Sequence, residues 1–399
     1  MTKGIGMTGK ILLRRRGALL AGAATAVLLG AGLLSTALAS GAASASTTGA
    51  AARSDSTAPA VAVPWGSVGT NWVLTEYSTG TSKKPAPETL YLVSPGGTKY
   101  QVYKWKSSAS APTLVAWAGN KTEALLGGST VKGYWYDELN LRTGKLTPLT
   151  LAGRAQALGY TLPTGQQILG ETSNLTGTQQ TNITVARYTQ AGKLVKKLVT
   201  EKSFGTSAIY SPNGGDLAVS APGGLLLVSN AGGVIRKLPV PGLQAVLGCS
   251  PERWWNAGTI LASCVPKNSA APQLWLVPAS GAKPSALTPV RKSGNDLGDI
   301  GAWQLSSGLY LQSLGPCGTY EINKQAKNGS VTRVNVPGTV NSPVVVTATS
   351  SRLLVQTLGC DGGGQLVWFN PATHAEQWLF KTGVVAAIAY TNKENGTFN

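Results

Sequence analysis

The 399-residue chain is poor in the side chains that enzymes use for chemistry. It contains one histidine, four cysteines and 16 acidic residues, and charged residues make up 13% of it, about half of the usual share. It has no Gly-x-Ser-x-Gly elbow, no His-Glu-x-x-His pair and no Cys-x-x-Cys, which mark serine hydrolases, zinc proteases and zinc sites. We therefore expect no cofactor and no metal, and no residue stands out as catalytic.

The single histidine, His374, lies in a predicted turn whose only nearby carboxylate is that of Glu376. A histidine that acts as a general base needs a nucleophile or a second group that orients it. The expectation for His374 is a solvated side chain.

Acidic charge is scarce beside basic charge: 34 Lys and Arg against 16 Asp and Glu give a net charge of +18. The basic residues occur as scattered pairs, without a run of five like charges, so no nucleic-acid-binding arm is predicted. Examples are Lys83-Lys84, Lys196-Lys197, Arg236-Lys237 and Arg291-Lys292. The two interpretations are a solvated basic surface and attraction to an anionic envelope polymer or membrane surface.

Residues 1–45 predict an export signal. Arg14-Arg15-Arg16 precede the apolar run Gly17–Leu34, and Ala37-Leu38-Ala39 and Ala43-Ser44-Ala45 offer small residues at the cleavage spacing. The alternative is an uncleaved membrane anchor, because the run approaches the length of a span. The protein is therefore expected to be secreted or extracytoplasmic, with membrane contact only through the N-terminal segment if that segment is uncleaved.

Three further segments follow the signal. Residues 46–61 are rich in Ala, Ser and Thr and predict a flexible tether, since they cannot bury enough apolar surface to become ordered. Residues 62–392 form the predicted folded domain, and residues 393–399 a C-terminal tail.

A pattern of four short strands recurs about every 40–50 residues between Asn71 and Tyr390. Its marker is an apolar strand followed by a glycine in a turn, as in Leu226-Leu227-Val228 before Gly232. Such a repeat is typical of a β-propeller. We predict an all-β fold: a seven-bladed β-propeller of four-stranded antiparallel blades.

The first unit has only three predicted strands, Trp72–Tyr77, Thr89–Val93 and Tyr100–Trp105, whereas one apolar strand, Val384–Tyr390, is left over after Ala375–Phe380. An apolar strand suits the innermost position, which is covered on both faces. We therefore predict that this C-terminal strand joins the first blade and closes the ring, leaving no unpaired inner edge.

One hairpin carries a family resemblance. The segment Tyr210–Ala218, with Ser211-Pro212-Asn213-Gly214 in its turn, resembles the Ser-Pro-Asp-Gly hairpin of TolB-like and WD40-like propeller repeats. Ser250-Pro251-Glu252 resembles a second, altered copy. The resemblance implies a binding or scaffolding role more than catalysis.

Four cysteines in an exported chain suggest disulfides. Cys317 and Cys360 follow the second strands of neighbouring units, so we predict that this pair is bonded. Cys249 and Cys264 are placed in the predicted strands Leu243–Cys249 and Thr259–Cys264, where a plain hairpin sets Cys249 opposite about Thr259 and out of reach. That second pair requires residues 250–258 to fold back, and we still favour it, because the alternative is two free thiols.

Three segments are weighed as ligand contacts. Arg253, Trp254 and Trp255 lie in a predicted loop, where they form either an aromatic platform for a ligand or packing between blades. The loop Asn295–Asp299 is either a polar connection or a calcium site, and the loop Cys360–Gly364 is either a plain rim loop or an approach to a phosphate.

The overall expectation is an exported, non-catalytic binding or scaffolding propeller of the cell envelope. Its ligand is an unknown protein or an anionic envelope polymer. The alternative is a hydrolase or lyase of envelope glycans, which requires two carboxylates about 5–10 Å apart at the channel mouth.

Overall fold

The computed structural model describes residues 62–390 except for 82–83, 108–111, 131–132, 163–164, 174–180, 204–207, 245–247, 270, 292–296, 317–318, 339–341 and 358–362. The predicted export signal, the tether and the C-terminal tail lie outside the described residues. Within the described ranges, no helix is long and apolar enough to cross a membrane.

The described residues form an all-β fold with 27 strands and one short 3-10 turn at Ala152–Arg154. The strands are β1 Val73–Ser78, β2 Glu88–Val93, β3 Lys99–Lys104, β4 Thr113–Trp117, β5 Glu123–Thr130, β6 Gly133–Asn140, β7 Leu146–Leu149, β8 Gln156–Tyr160, β9 Gln167–Ser173, β10 Thr181–Thr189, β11 Leu194–Ser203, β12 Ala208–Tyr210, β13 Asp216–Ala221, β14 Gly224–Ser229, β15 Val234–Pro239, β16 Cys249–Asn256, β17 Thr259–Cys264, β18 Gln273–Pro278, β19 Ser285–Ala286, β20 Asp299–Leu305, β21 Gly308–Leu314, β22 Tyr320–Gln325, β23 Val331–Arg333, β24 Pro343–Ala348, β25 Leu353–Thr357, β26 Gly364–Phe369 and β27 Glu376–Ala389.

These strands make six antiparallel sheets in the described ranges. Five have four strands that follow one another in the chain: β4–β7, β8–β11, β12–β15, β16–β19 and β20–β23. The sixth has seven strands in the order β24-β25-β26-β27-β1-β2-β3, so it joins the two ends of the folded chain. The expectation of four-stranded antiparallel sheets is thus confirmed for the five central ones.

The long strand β27 belongs to two neighbouring groups of strands. Its first half pairs with β26, with Phe369 opposite Glu376, and its second half pairs with β1, with Leu74 opposite Ile388. The sequence predicts two separate strands here, which is wrong, because one continuous strand changes its partner from β26 to β1. The link contains Gly383 at φ +84°, where a Cβ atom would come within 2.3 Å of the Tyr77 ring.

We call each set of four strands a unit: the second half of β27 with β1–β3 is the first unit, and β24–β26 with the first half of β27 is the seventh. The buried apolar residues form seven clusters in the described part of the chain, and each cluster lies between two successive units. The seventh unit packs in this way against the first, through residues such as Leu366, Phe380 and Val73.

Buried polar side chains also connect successive units. The Glu76 carboxylate accepts a hydrogen bond from the Leu114 amide at 3.0 Å. Gln312 accepts one from the Val345 amide at 2.9 Å and donates to the Pro343 carbonyl at 3.0 Å. Each of these side chains lies on the second strand of its unit and bonds the first strand of the next. Because buried backbone groups need partners, these bonds hold neighbouring units in register.

The turn between the third and fourth strands repeats from unit to unit, as the sequence markers predict. In six units it has a glycine with positive φ, a conformation that is costly for other residues: Gly97, Gly144, Gly192, Gly232, Gly281 and Gly329. In the seventh unit His374 occupies this position at φ +58°. The Ser211–Gly214 turn also joins β12 to β13 as predicted, with the Gly214 amide bonded to the Ser211 carbonyl at 2.8 Å.

The fifth unit differs most from the sequence expectation. Its first strand is Cys249–Asn256 rather than Leu243–Cys249, so the predicted loop 250–258 is mostly strand, and Ser250-Pro251-Glu252 is not a turn. The hairpin turns further along the chain than expected, and two bulges absorb the extra residues of β16. Cys249 therefore lies opposite Cys264, not Thr259, and the two form a disulfide with a Cα–Cα distance of 4.2 Å.

Candidate functional site

A cleft of about 170 Å³ lies between the first strands of the fifth and sixth units. It is lined by Arg253, Trp255 and Asn256 of β16 and by Gln304 of β20. The apolar cluster between these two units is small, with Leu261, Leu274, Ala302 and Leu311 as its buried members. The cleft therefore lies at a junction where few buried apolar side chains fill the space between units.

Arg253 lies between two indole rings in this cleft. Its guanidinium carbon is 5.1 Å from the centroid of the Trp255 ring and 5.5 Å from that of the Trp303 ring. Its Nη2 donates a hydrogen bond to the Ala302 carbonyl of the neighbouring unit. Burial lowers the pKa of Arg253 from its usual value, but the group remains a cation at neutral pH. The rings and the carbonyl thus hold a cation at a fixed position beside the cleft.

The bulges of β16 decide which side chains reach the cleft. The pairing with β17 skips Glu252 and Trp255, so the alternation of side chains changes at both positions. Trp254 consequently packs into the cluster between the fourth and fifth units and is 2% exposed. The adjacent Trp255 is only half-buried and lines the cleft.

Two amide side chains complete the lining. Asn256 is exposed, and its Oδ1 accepts a hydrogen bond from the Gly258 amide at 2.9 Å, which stabilises the hairpin turn. Gln304 is exposed, and its Nε2 donates to the Leu305 carbonyl at 3.0 Å. Neither residue is among those predicted from the sequence, and Gln304 in particular is far from Arg253 in the chain, with nothing in its surroundings to mark it.

The cleft combines a cation, two amides and a flat apolar ring. A guanidinium group binds carboxylates and phosphates through charged hydrogen bonds, and amides both donate and accept. An indole face offers apolar contact to a sugar ring or a side chain. This set can bind an anionic group that is attached to a flat or apolar one.

Glu252, next to Arg253 in the chain, is half-buried. Burial raises the pKa of its carboxyl group well above the usual range, so the group holds its proton to a higher pH than an exposed glutamate does.

The other acidic candidates are held by protein contacts. Asp299 is 1% exposed; it accepts a hydrogen bond from the Ser313 hydroxyl at 2.7 Å and forms an ion pair with Arg291 at 3.4 Å. Of the predicted polar loop 295–299, residues 295 and 296 lie outside the described ranges. Glu376 accepts a hydrogen bond from the Trp378 indole at 2.7 Å, while His374 is exposed and contacts the Phe369 ring.

A second carboxylate with a shifted pKa lies between the second and third units. Glu138 accepts a hydrogen bond from the Tyr160 hydroxyl at 3.0 Å. Burial, with a smaller contribution from the negative charge of Glu123, raises the pKa of Glu138. Among the described residues, no three His, Cys, Asp or Glu side chains form a group that could hold a metal ion. Cys317, Cys360 and the adjoining loop 360–362 lie outside the described residues.

The described strands form six antiparallel sheets, and successive four-stranded units pack against one another, which defines a β-propeller. The cleft beside Arg253, between two inner strands, is its candidate ligand site. Solved structures agree with this fold. The match to a prolyl endopeptidase covers 80% of this chain and 51% of the endopeptidase chain, with a TM-score of 0.51 and 12% identity. The match to TolB from Acinetobacter baumannii covers 80% of this chain and 66% of the TolB chain, with a TM-score of 0.42 and 14% identity.

The match to the β-propeller domain of the Trilobed protease from Pyrococcus furiosus covers 78% of this chain and 95% of that domain's chain, with a TM-score of 0.47 and 11% identity. The chain spans about half the length of the prolyl endopeptidase. No family model and no curated protein matches the chain. The structure neighbours thus include TolB, as the Tyr210–Ala218 hairpin suggested, and at these identities the likeness concerns the β-propeller fold alone.

Proposed function

We propose that this protein is an exported, non-catalytic binding propeller with seven blades, which holds an anionic group of its ligand in the Arg253 cleft. The ligand is a protein or an anionic polymer of the cell envelope. The observation that carries the proposal is the position of Arg253 between Trp255 and Trp303, beside the exposed amides of Asn256 and Gln304.

Two observations support the seven-bladed, closed architecture. Seven apolar clusters separate seven successive units in the described part of the chain. The C-terminal strand pairs with β1 from Val73 to Tyr77, so the N- and C-terminal parts of the domain share one sheet. Such pairing removes an exposed strand edge from the interior of the ring.

The disulfide between Cys249 and Cys264 supports export. Disulfides persist in oxidising compartments and are rare in the cytosol, and this bond joins the start of β16 to β17. The same strand carries Arg253 and Trp255, so the bond supports the strand on which the cleft is built.

The contacts of several carboxylates support a binding function over glycan hydrolysis. Glu76, Asp299 and Glu376 accept hydrogen bonds from other protein groups, and Glu321 pairs with Arg333 at 3.2 Å. Hydrolysis of a glycosidic bond needs two carboxyl groups facing the same substrate. Of the described residues that line the cleft, none is acidic.

The test is retention of the purified chain on cell-envelope material and on isolated anionic wall polymer. Arg253→Gln should reduce retention at least about tenfold, since a charged hydrogen bond is lost. The matched control is Arg142→Gln, because Arg142 is exposed and also lies 5.1 Å from an indole ring, that of Trp65, outside the cleft. Equal retention of Arg253→Gln and the unsubstituted chain would rule out the cleft as the binding site.

The hydrolase alternative has its own assay. Envelope glycan incubated with the chain should show no increase in reducing ends. An increase that Glu252→Gln abolishes would replace the binding proposal with glycan hydrolysis.

A further inference from the structure

The outer strands of the third and fourth units begin with the same pattern. Strand β11 begins Leu194-Val195-Lys196-Lys197, and strand β15 begins Val234-Ile235-Arg236-Lys237. In both strands two apolar residues and two basic residues precede a leucine, Leu198 or Leu238, that is buried in the core. We call these eight residues the basic–apolar edge.

The four apolar side chains of this edge face solvent. Leu194, Val195, Val234 and Ile235 are 45%, 43%, 45% and 49% exposed. In the described part of the chain, the other exposed large apolar residues are Val290, Leu297 and Val331, and at 40%, 40% and 36% each is less exposed than these four. A contiguous exposed apolar surface is unusual in a monomeric protein and indicates an interaction site.

Equivalent bulges lie at two of these apolar residues. The pairing of β11 with β10 skips Val195, and the pairing of β15 with β14 skips Ile235. Both strands are the last of their sheets, and among the strands that the structure describes none pairs with their outer edges. The same local geometry thus presents the same residue types on two neighbouring units.

The two halves of the edge adjoin each other. The Gly233 amide donates a hydrogen bond to the Leu198 carbonyl at 3.0 Å, which places the start of β15 against the middle of β11. The Lys196 side chain lies beside Gly232 in the preceding turn. Val234 therefore follows directly after a contact with the strand that carries Lys196 and Lys197, so the two halves of the edge lie on adjoining strands.

The charge of the edge is of one sign. Its four basic residues are exposed, and the only acidic residue of the two strands is Glu201, near the far end of β11. Lysines on edge strands commonly prevent pairing with other chains. That role accounts for the basic residues but not for the four exposed apolar side chains beside them, which would favour such association.

We propose that the basic–apolar edge docks on a lipid bilayer that contains anionic headgroups. The charge complementarity draws the basic side chains to the headgroups, and the adjoining apolar side chains enter the boundary between headgroups and acyl chains. A soluble polyanion would engage the four cations without any use for the apolar residues. This inference does not depend on the Arg253 cleft, which lies between other units.

The experiment compares binding of the whole chain to vesicles of phosphatidylcholine alone and with about one third phosphatidylglycerol. Flotation should show binding that requires phosphatidylglycerol and weakens with salt. The N-terminal apolar run is common to all variants. Hydrogen exchange of the amides of 194–198 and 234–238 therefore localises the contact, and these amides should slow when anionic vesicles are added.

Two sets of substitutions separate charge from insertion. The combined change of Lys196, Lys197, Arg236 and Lys237 to Gln should weaken binding to anionic vesicles at least about tenfold, and so should the change of Leu194, Val195, Val234 and Ile235 to Ser. The control is Lys327→Gln with Val331→Ser, which changes an exposed basic residue and an exposed apolar residue of the sixth unit.

Unchanged vesicle binding of the serine variant would overturn the proposal and leave a site for soluble polyanions. Equal binding of the unsubstituted chain to neutral and anionic vesicles, with no slowing of exchange at the edge, would overturn it as well. Circular dichroism of each variant checks that the sheets are retained.

Discussion

Leu74, near the start of the folded domain, lies directly opposite Ile388, near its end, in adjacent antiparallel strands. The strand that contains Ile388 also buries Val384 and Ala389, which are 2% and 5% exposed, and Tyr390 directly after it is 6% exposed. The pairing therefore joins the two ends of the domain by backbone hydrogen bonds and by apolar contacts.

Truncation after Gly383 should abolish cooperative unfolding. The deleted strand removes three buried side chains, two of them large at about 1.5–3 kcal/mol each, and exposes β1 as an unpaired edge. The expected loss of about 5 kcal/mol or more equals the whole stability of many domains. Truncation after Tyr390 is the control, and it should leave the thermal transition unchanged. A sharp transition in the shorter chain would contradict closure by this strand.

Gln312→Leu should destabilise the junction between the sixth and seventh units. Gln312 is 3% exposed and bonds the Val345 amide and the carbonyls of Pro343 and Glu321. Its loss leaves buried backbone groups without partners, at a cost of about 2–3 kcal/mol.

Chemical denaturation measures this change in the free energy of unfolding. The control Gln304→Leu removes an exposed amide with one backbone bond and should change stability by less than about 0.5 kcal/mol. Equal effects of the two substitutions would show that Gln312 does not hold the units together.

His374→Gly should stabilise the protein. His374 adopts φ +58° at the turn position that glycine occupies in the other six units, and this conformation costs a non-glycine residue about 1–2 kcal/mol. Glycine relieves this strain, but its greater freedom stabilises the unfolded chain by about 0.5–1 kcal/mol. The net gain in the free energy of unfolding should therefore be about 0.5–1 kcal/mol.

The reciprocal substitution is Gly329→Ala. Gly329 adopts φ +83°, and among the described residues a Cβ atom there would meet only Pro289, at 3.7 Å, so strain rather than collision should lower stability by about 1 kcal/mol. Thermal unfolding measures both variants. A stabilising Gly329→Ala or a destabilising His374→Gly would contradict the role of this turn position.

The repeated turns explain why the fold could be predicted from the sequence. An apolar strand followed by a glycine turn recurs from Gly97 to Gly329, because each unit needs the same left-handed residue at the same place. The apolar C-terminal strand left over after this count likewise indicated a partner for β1. Patterns with a local physical cause were thus visible in the chain.

The site was harder to predict, because its geometry depends on bulges and on contacts between units. Nothing in the composition of Cys249–Asn256 shows that β16 skips Glu252 and Trp255 in its pairing. The predicted loop was wrong for this reason, although it contained Arg253 and Trp255, which do line the cleft. Gln304 joins them only through the packing of the next unit.

Alanine substitution of the neighbouring residues Trp254 and Trp255 should affect different properties: the first mainly stability, the second mainly ligand binding. Trp254 is 2% exposed in the apolar cluster between the fourth and fifth units, so Trp254→Ala should lower the free energy of unfolding by about 3–5 kcal/mol. Trp255 is half-buried at a bulge, so Trp255→Ala should cost about 1 kcal/mol or less. Denaturant titrations give both values.

Ligand retention should fall more in Trp255→Ala than in Trp254→Ala. The Trp255 ring lines the cleft, and its centroid lies 5.1 Å from the Arg253 guanidinium carbon, which it holds in place. Without that ring the guanidinium gains freedom that binding must remove, so Trp255→Ala should weaken retention on envelope material about fivefold or more. Trp255→Phe keeps an aromatic face and should restore part of the loss. If Trp255→Ala retained its ligand fully while Trp254→Ala, still folded, lost it, the binding surface would lie on the other side of β16, between the fourth and fifth units.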